Sequence, residues 1–108
     1  MHITQISDDF SVSSQITPAD VAEIANAGYK SIICNRPDFE EPTQPMFNDI
    51  ANAAHDAGLK SAHVPITGMP TPAQISEMAN AISELPKPIF AYCRSGNRSS
   101  ILFHAANG

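Results

Sequence analysis

Among the residues able to do covalent chemistry near neutral pH, Cys93 has the most suggestive neighbours. It opens the run Cys93-Arg94-Ser95-Gly96-Asn97-Arg98-Ser99, directly after the apolar stretch Pro88-Ile89-Phe90-Ala91-Tyr92. A thiol attacks only as its thiolate, so what matters is whether this setting favours the anion. Several effects would act together. A loop from Arg94 to Asn97 can turn successive backbone N–H groups inward as an anion nest, and Gly96 allows the turn at little steric cost. A helix starting near Arg98 adds the positive end of its dipole. Arg94 and Arg98, two of only three arginines in the chain, add full charges. In such surroundings a cysteine pKa of about 8.5 falls to about 3.5–7.5. Most free cysteines are inert core residues, but this strand–loop–helix string favours a reactive one. The predicted catalytic pair is Cys93, as nucleophile, and Arg98. The predicted anion-binding residues are Arg94, Ser95, Gly96, Asn97, Ser99 and Arg36. Arg36 ends a predicted strand and could reach the same rim, although a salt bridge to Glu40 or Glu41 explains it equally well.

The remaining candidates are weaker. Cys34 reads as a core thiol. His2, His55, His63 and His104 show no metal-ligand spacing. Asp38, Glu40 and Glu41 read as a solvated loop, so neither a metal nor a cofactor is expected.

Ligands of open α/β sheets bind beyond the carboxyl ends of the strands, and the surrounding pattern supplies such a sheet. Residues 2–6 and 10–13 read as a hairpin around Ser7-Asp8-Asp9. Thr17-Pro18-Ala19-Asp20 opens a helix that Gly28 stops, and residues 31–34 follow as a short strand. Pro45 opens a second helix with Met46, Ile50, Ala54 and Ala57 on one face. Residues 60–66 form the next strand, interrupted by Pro65. Thr71-Pro72-Ala73-Gln74 carries a capping box for a third helix that Pro86 stops. Residues 88–92 read as a strand buried on both faces. Residues 98–106 form a last helix with Ile101, Leu102 and Ala105 inward. Thr17–Ala27 and Thr71–Ala81 share seven of eleven residues, which two helices with one cap solution explain. Alternation of this kind predicts a single α/β domain over residues 1–108, with a largely parallel central sheet flanked by helices and the cysteine loop between last strand and last helix.

Composition excludes several classes of function. The 108 residues are 43% hydrophobic and carry a formal charge of −5, without a Lys/Arg block. That argues against nucleic acid or an acidic membrane surface as partner. No apolar run approaches the roughly 20 residues of a membrane span. With no visible secretory signal and only two cysteines, the expected setting is a reducing cytoplasm. Oligomeric state is not legible in the residues.

The cysteine string resembles the active-site loop of single-domain rhodaneses, which carry sulfur as a cysteine persulfide. The rest of the chain resembles instead the bacterial beta-lactamase hydrolase-like, phosphatase-like family, also labelled sulfurtransferases. The segments that carry this are Ser13-Ser14-Gln15-Ile16-Thr17-Pro18, Asn35-Arg36-Pro37-Asp38 with Glu40-Glu41-Pro42, His63-Val64-Pro65-Ile66, and Cys93 to Ser99. The resemblance implies a fold like that of tyrosine and dual-specificity phosphatases. Some members of the family are fused to a persulfide dioxygenase, which makes such an enzyme an expected partner.

Two chemistries then compete, and two features separate them. The resembling phosphatases use Cys-x5-Arg, whereas Cys93 and Arg98 are one residue closer, and a tighter loop suits a single terminal sulfur better than a phosphoryl group. Those phosphatases also carry an aspartate acid on an upstream loop, worth about 10²–10⁴ in rate. No aspartate stands between Asp56 and Cys93. The expectation is a sulfurtransferase that moves sulfur from thiosulfate or a low-molecular-weight persulfide, through a Cys93 persulfide, to a thiol or cyanide. The alternatives are a cysteine-dependent phosphatase acting on a phosphoester, and an anion-sensing or partner-binding module without turnover.

Overall fold

The computed structural model describes residues 1–107. Five strands form one sheet: β1 (Ile3–Ser7), β2 (Phe10–Ser13), β3 (Ser31–Cys34), β4 (Lys60–His63) and β5 (Ile89–Tyr92), in the order β1-β2-β5-β3-β4. β1 pairs antiparallel with β2, and every other pairing is parallel. β2, β5, β3 and β4 therefore all end at one edge, at Ser13, Tyr92, Cys34 and His63. The loops that leave this edge hold all four segments singled out by the resemblance.

Side chains alternate across a strand, and this divides the core in two. Ile32, Cys34, Phe90 and Tyr92 pack on one face with Ile16, Val21, Ile24 and Ile50. These last come from the chain before and within α1 (Val21–Asn26) and from α2 (Phe47–Asp56). Ile33, Ile89, Ala91, Phe10 and Val12 pack on the other face, against Met78 of α3 (Pro72–Glu84) and Leu102 of α4 (Asn97–Asn107). β5, the most apolar strand, is central and buried along its whole length.

The predicted elements all form, with boundaries that tertiary contacts adjust. A 3₁₀ turn, Pro18–Asp20, precedes α1; there the Thr17 N–H donates to Asp20 Oδ2 at 2.8 Å. The capping box of α3 is reciprocal, with the Gln74 N–H donating to Thr71 Oγ1 and the Thr71 N–H to Gln74 Oε1, an arrangement worth about 1 kcal/mol. α2 starts at Phe47 rather than at Pro45, because Asp38, nine residues upstream, accepts from the Phe47 N–H at 2.8 Å. β4 stops at His63. Beyond it the Val64 N–H still reaches the Cys34 carbonyl, and Pro65 has no N–H to continue the ladder. In α4 the buried stripe is Ser99 and Leu102, with Phe103 and Ala106 packed beside it, and Ala105 is exposed, contrary to the predicted inward face. Phe103 sets that rotation by stacking on Phe10, with ring centroids 4.3 Å apart.

Candidate active site

Cys93 follows the last residue of β5 and precedes α4, at the strand edge where four loops meet. It is fully buried. The Gly96 N–H donates to its Sγ at 3.1 Å. Ser95 and Ser99 also lie close enough to favour the thiolate, and the buried Ser99 hydroxyl makes no hydrogen bond among the described residues. Burial opposes ionisation of Cys93, but the Ser99 N–H and hydroxyl, then the Gly96 and Ser95 N–H groups, outweigh it and lower the pKa. Of the predicted nest, the Gly96 N–H is placed on the sulfur, with Ser95 and Ser99 beside it at the start of α4. Arg94 contributes differently, since its carbonyl accepts from the Gln15 N–H. Gly96 suits this turn through its backbone conformation. Its φ of 97° suits glycine, and a Cβ there would lie 3.4 Å from the Ser13 backbone carbon and oxygen.

Cys34 occupies a different environment. It lies in the core on the α1–α2 face, with its thiol directed to the Arg36 carbonyl. Burial pushes its pKa up. In the native protein, iodoacetamide should therefore alkylate Cys93 at a pH well below that needed for Cys34. Peptide mass spectrometry across a pH series reads both rates, and identical profiles would mean that the N–H nest is not formed.

The three arginines and two glutamates form one network. Arg98 Nη1 and Nη2 donate to Glu40 Oε2 and Oε1, both at 2.8 Å, and Nη1 also donates to the Ile66 carbonyl at 2.7 Å. A guanidinium has five N–H groups, so the Nε and the remaining Nη2 donors have no partner among the described residues; Glu40 first, and then the nearby Cys93 sulfur, raises the Arg98 pKa. Arg36, only 3% exposed, donates from Nε to Glu40 at 2.8 Å and from Nη1 to Gln15 Oε1 at 2.9 Å, with Nη2 3.5 Å from Glu41. Arg94, 70% exposed, pairs with Glu41 at 3.1 Å. Hydrogen bonding from Arg98, then from Arg36, holds Glu40 ionised with a pKa of about 2, against the partial burial that would raise it.

A cleft of about 680 Å³ opens above the loop, lined by Arg36, Glu40, Glu41, Arg94, Ser95, Asn97, Arg98 and Ile101 and by the Thr67–Met69 turn. Most predicted site residues meet here. Gly96 and Ser99 lie beneath it around the sulfur. Arg36 reaches the rim, where Nε and Nη1 bond Glu40 and Gln15, while the buried Nη2 stands 3.5 Å from Glu41 and makes no hydrogen bond among the described residues. Glu40 and Glu41, read as part of a solvated loop, keep partial exposure while pairing with the arginines of the cleft. The signal in the sequence was the i,i+4 spacing of Arg36 and Glu40. The decisive feature, Phe39 at φ 66°, has no sequence signature.

Residues 2–107 match the family described as beta-lactamase hydrolase-like protein, phosphatase-like domain. A beta-lactamase hydrolase-like protein of Agrobacterium fabrum is 34% identical over 95% of this chain, which spans about a quarter (24%) of that relative's length. A structure from Neisseria meningitidis Z2491, described as a candidate phosphatase, superposes with a TM-score of 0.87 at 37% identity, covering 95% of this chain and 74% of that one. Tk-PTP in its active form has a TM-score of 0.70 at 18% identity, covering 97% of this chain and 80% of that one, and shows the shared fold. The fold is phosphatase-like, as the sequence predicted. The names of these proteins favour the phosphatase alternative more directly than sulfur transfer.

Proposed function

The chain belongs to the beta-lactamase hydrolase-like protein, phosphatase-like domain family, and from that premise we propose that it is a cysteine-dependent enzyme whose Cys93 thiolate accepts a sulfane sulfur and passes it on. In the first half-reaction the thiolate attacks the outer sulfur of R–S–S⁻ or thiosulfate. The S–S bond of the donor breaks, R–S⁻ or sulfite leaves with the bonding pair, and Cys93 becomes a persulfide held by the N–H groups of Ser95, Gly96 and Ser99. In the second, an acceptor thiolate or cyanide attacks the outer sulfur and releases the Cys93 thiolate, a ping-pong cycle.

The observation that carries this choice is the state of the carboxylates in the cleft. Glu40 and Glu41 are the only acids among its described lining residues. Glu40 stays ionised down to about pH 2, and Glu41 is paired with Arg94 and Arg36. The overhanging turn offers Thr67, Gly68 and Met69 instead of an acid. An alkoxide leaving group needs a proton; a thiolate or sulfite leaves without one. The short Cys-x4-Arg loop agrees with a small transferred group.

The second reading is phosphoester hydrolysis through a Cys93 phosphocysteine. The family's name and the candidate phosphatase at 37% identity speak for it. Intact-protein mass separates the two. Incubation with thiosulfate or an alkyl persulfide should add one sulfur to Cys93, and an aryl phosphate should give only trace phosphate release. Rapid aryl phosphate hydrolysis without any gain of sulfur would establish the second reading. We further propose a cytoplasmic setting and, since the chain spans only a quarter of its relatives' length, a persulfide dioxygenase as the partner that consumes or supplies the sulfur.

A further inference from the structure

All three arginines of the chain line the cleft and no lysine does, yet the cleft carries little surplus positive charge. Glu40 bridges Arg36 and Arg98, and Glu41 bridges Arg36 and Arg94. With the Cys93 thiolate counted, three guanidinium charges face three negative ones. This balance depends on the backbone at Phe39. Its left-handed φ of 66°, uncommon for a bulky residue, belongs to the turn that brings Glu40 and Glu41 back onto the arginines.

The size and surface of the cleft add a second constraint. About 680 Å³ lies in the range of pockets that hold organic ligands, far more than a five-atom inorganic anion fills. Met69, 83% exposed, and Ile101 provide apolar lining, and Phe39, 80% exposed, stands next to Glu40. Cys93 lies buried beneath, so the cleft leaves room for an organic body behind the reacting sulfur.

We propose that Glu40 sets the charge selectivity of this site, so that the donor is a singly charged sulfane sulfur on an organic body, an alkyl persulfide or thiosulfonate, in preference to doubly charged inorganic thiosulfate. The inference rests on the cleft being the anion site of the proposed function. Glu40 repels a dianion twice as strongly as a monoanion, and at this partly exposed position the difference corresponds to about tenfold in affinity. A thiosulfonate donor reacts in balance: Cys93–S⁻ attacks the outer sulfur of R–SO₂–S⁻, the S–S bond breaks, and R–SO₂⁻ leaves with the electron pair.

Methanethiosulfonate and thiosulfate form a matched pair, since each offers an outer sulfur on a sulfonyl-type leaving group and they differ in charge. Glu40→Gln should raise the ratio of kcat/KM for thiosulfate to that for methanethiosulfonate about tenfold, and Glu40→Ala should shift it the same way. An unchanged ratio, with both donors falling together, would overturn the proposal and leave Glu40 only a positioning residue for Arg98. Calorimetric binding of tungstate, a dianion, and methanesulfonate, a monoanion, reads the selectivity without turnover. If the wild-type protein moves no sulfur from either donor, the proposed function fails, and this arm still decides the inference. Selective tightening of tungstate in Glu40→Gln supports it; equal changes for both anions, or no anion binding by the wild type, refute it.

Discussion

Cys93→Ser is expected to lose group transfer by about 10⁴-fold or more, whichever donor is offered, while the fold is retained. Loss of a covalent nucleophile removes the intermediate itself, and effects of this order accompany such substitutions elsewhere. Serine fits the space, but its hydroxyl ionises far above neutral pH, and the N–H groups of Ser95, Gly96 and Ser99 cannot bring it down into range. Circular dichroism should be unchanged, since the core packing on both faces of the sheet does not involve the Cys93 sulfur. The measurement is turnover together with intact mass: no sulfur adduct on Cys93→Ser, and a full adduct on Cys34→Ser. An adduct that persists in Cys93→Ser and vanishes in Cys34→Ser would move the chemistry to the other face of the sheet and refute the site.

Arg98→Ala is the second large effect, expected at about 10²-fold in kcat/KM, the usual cost of losing one transition-state donor. Two losses combine. The Nε and Nη2 donors not used by Glu40 disappear from beside Cys93. Glu40 also loses its bidentate partner and stays an anion near the reacting sulfur, still held by Arg36. Arg98→Lys should recover only part of the rate, because a point charge cannot bond both Glu40 oxygens and the Ile66 carbonyl while turning donors toward the sulfur. The double variant Arg98→Ala/Glu40→Gln should be more active than Arg98→Ala alone, a coupling that a mutant cycle measures directly. Iodoacetamide should still find Cys93 reactive at low pH in Arg98→Ala, since Ser99, Gly96 and Ser95 contribute most to favouring the thiolate. An Arg98→Ala enzyme as fast as wild type would remove Arg98 from the site.

Much of this protein follows from local rules acting on adjacent residues. The capping box at Thr71 and Gln74, the alternation of Ile32 with Ile33 and of Phe90 with Ala91, and the apolar run of β5 each need only neighbours within a turn or a strand, so their outcome is legible in the chain. The same holds for the nest, because Cys93, Gly96 and Ser99 lie within seven residues and the strand before them and helix after them fix its direction. What only the tertiary structure decided is the electrostatics of the cleft. Glu40 and Arg98 are 58 positions apart, and Asp38 reaches forward to cap α2. The Glu40–Arg98 pairing requires β3 beside β5, since the two loops leave the ends of those strands. A spacing of residues cannot convey that a carboxylate will turn inward, because the attraction between charges is set by distance in space and by the water excluded between them. The thiolate was therefore readable from its own loop, whereas the charge that thiolate and substrate meet was settled only when three distant loops closed over one edge of the sheet.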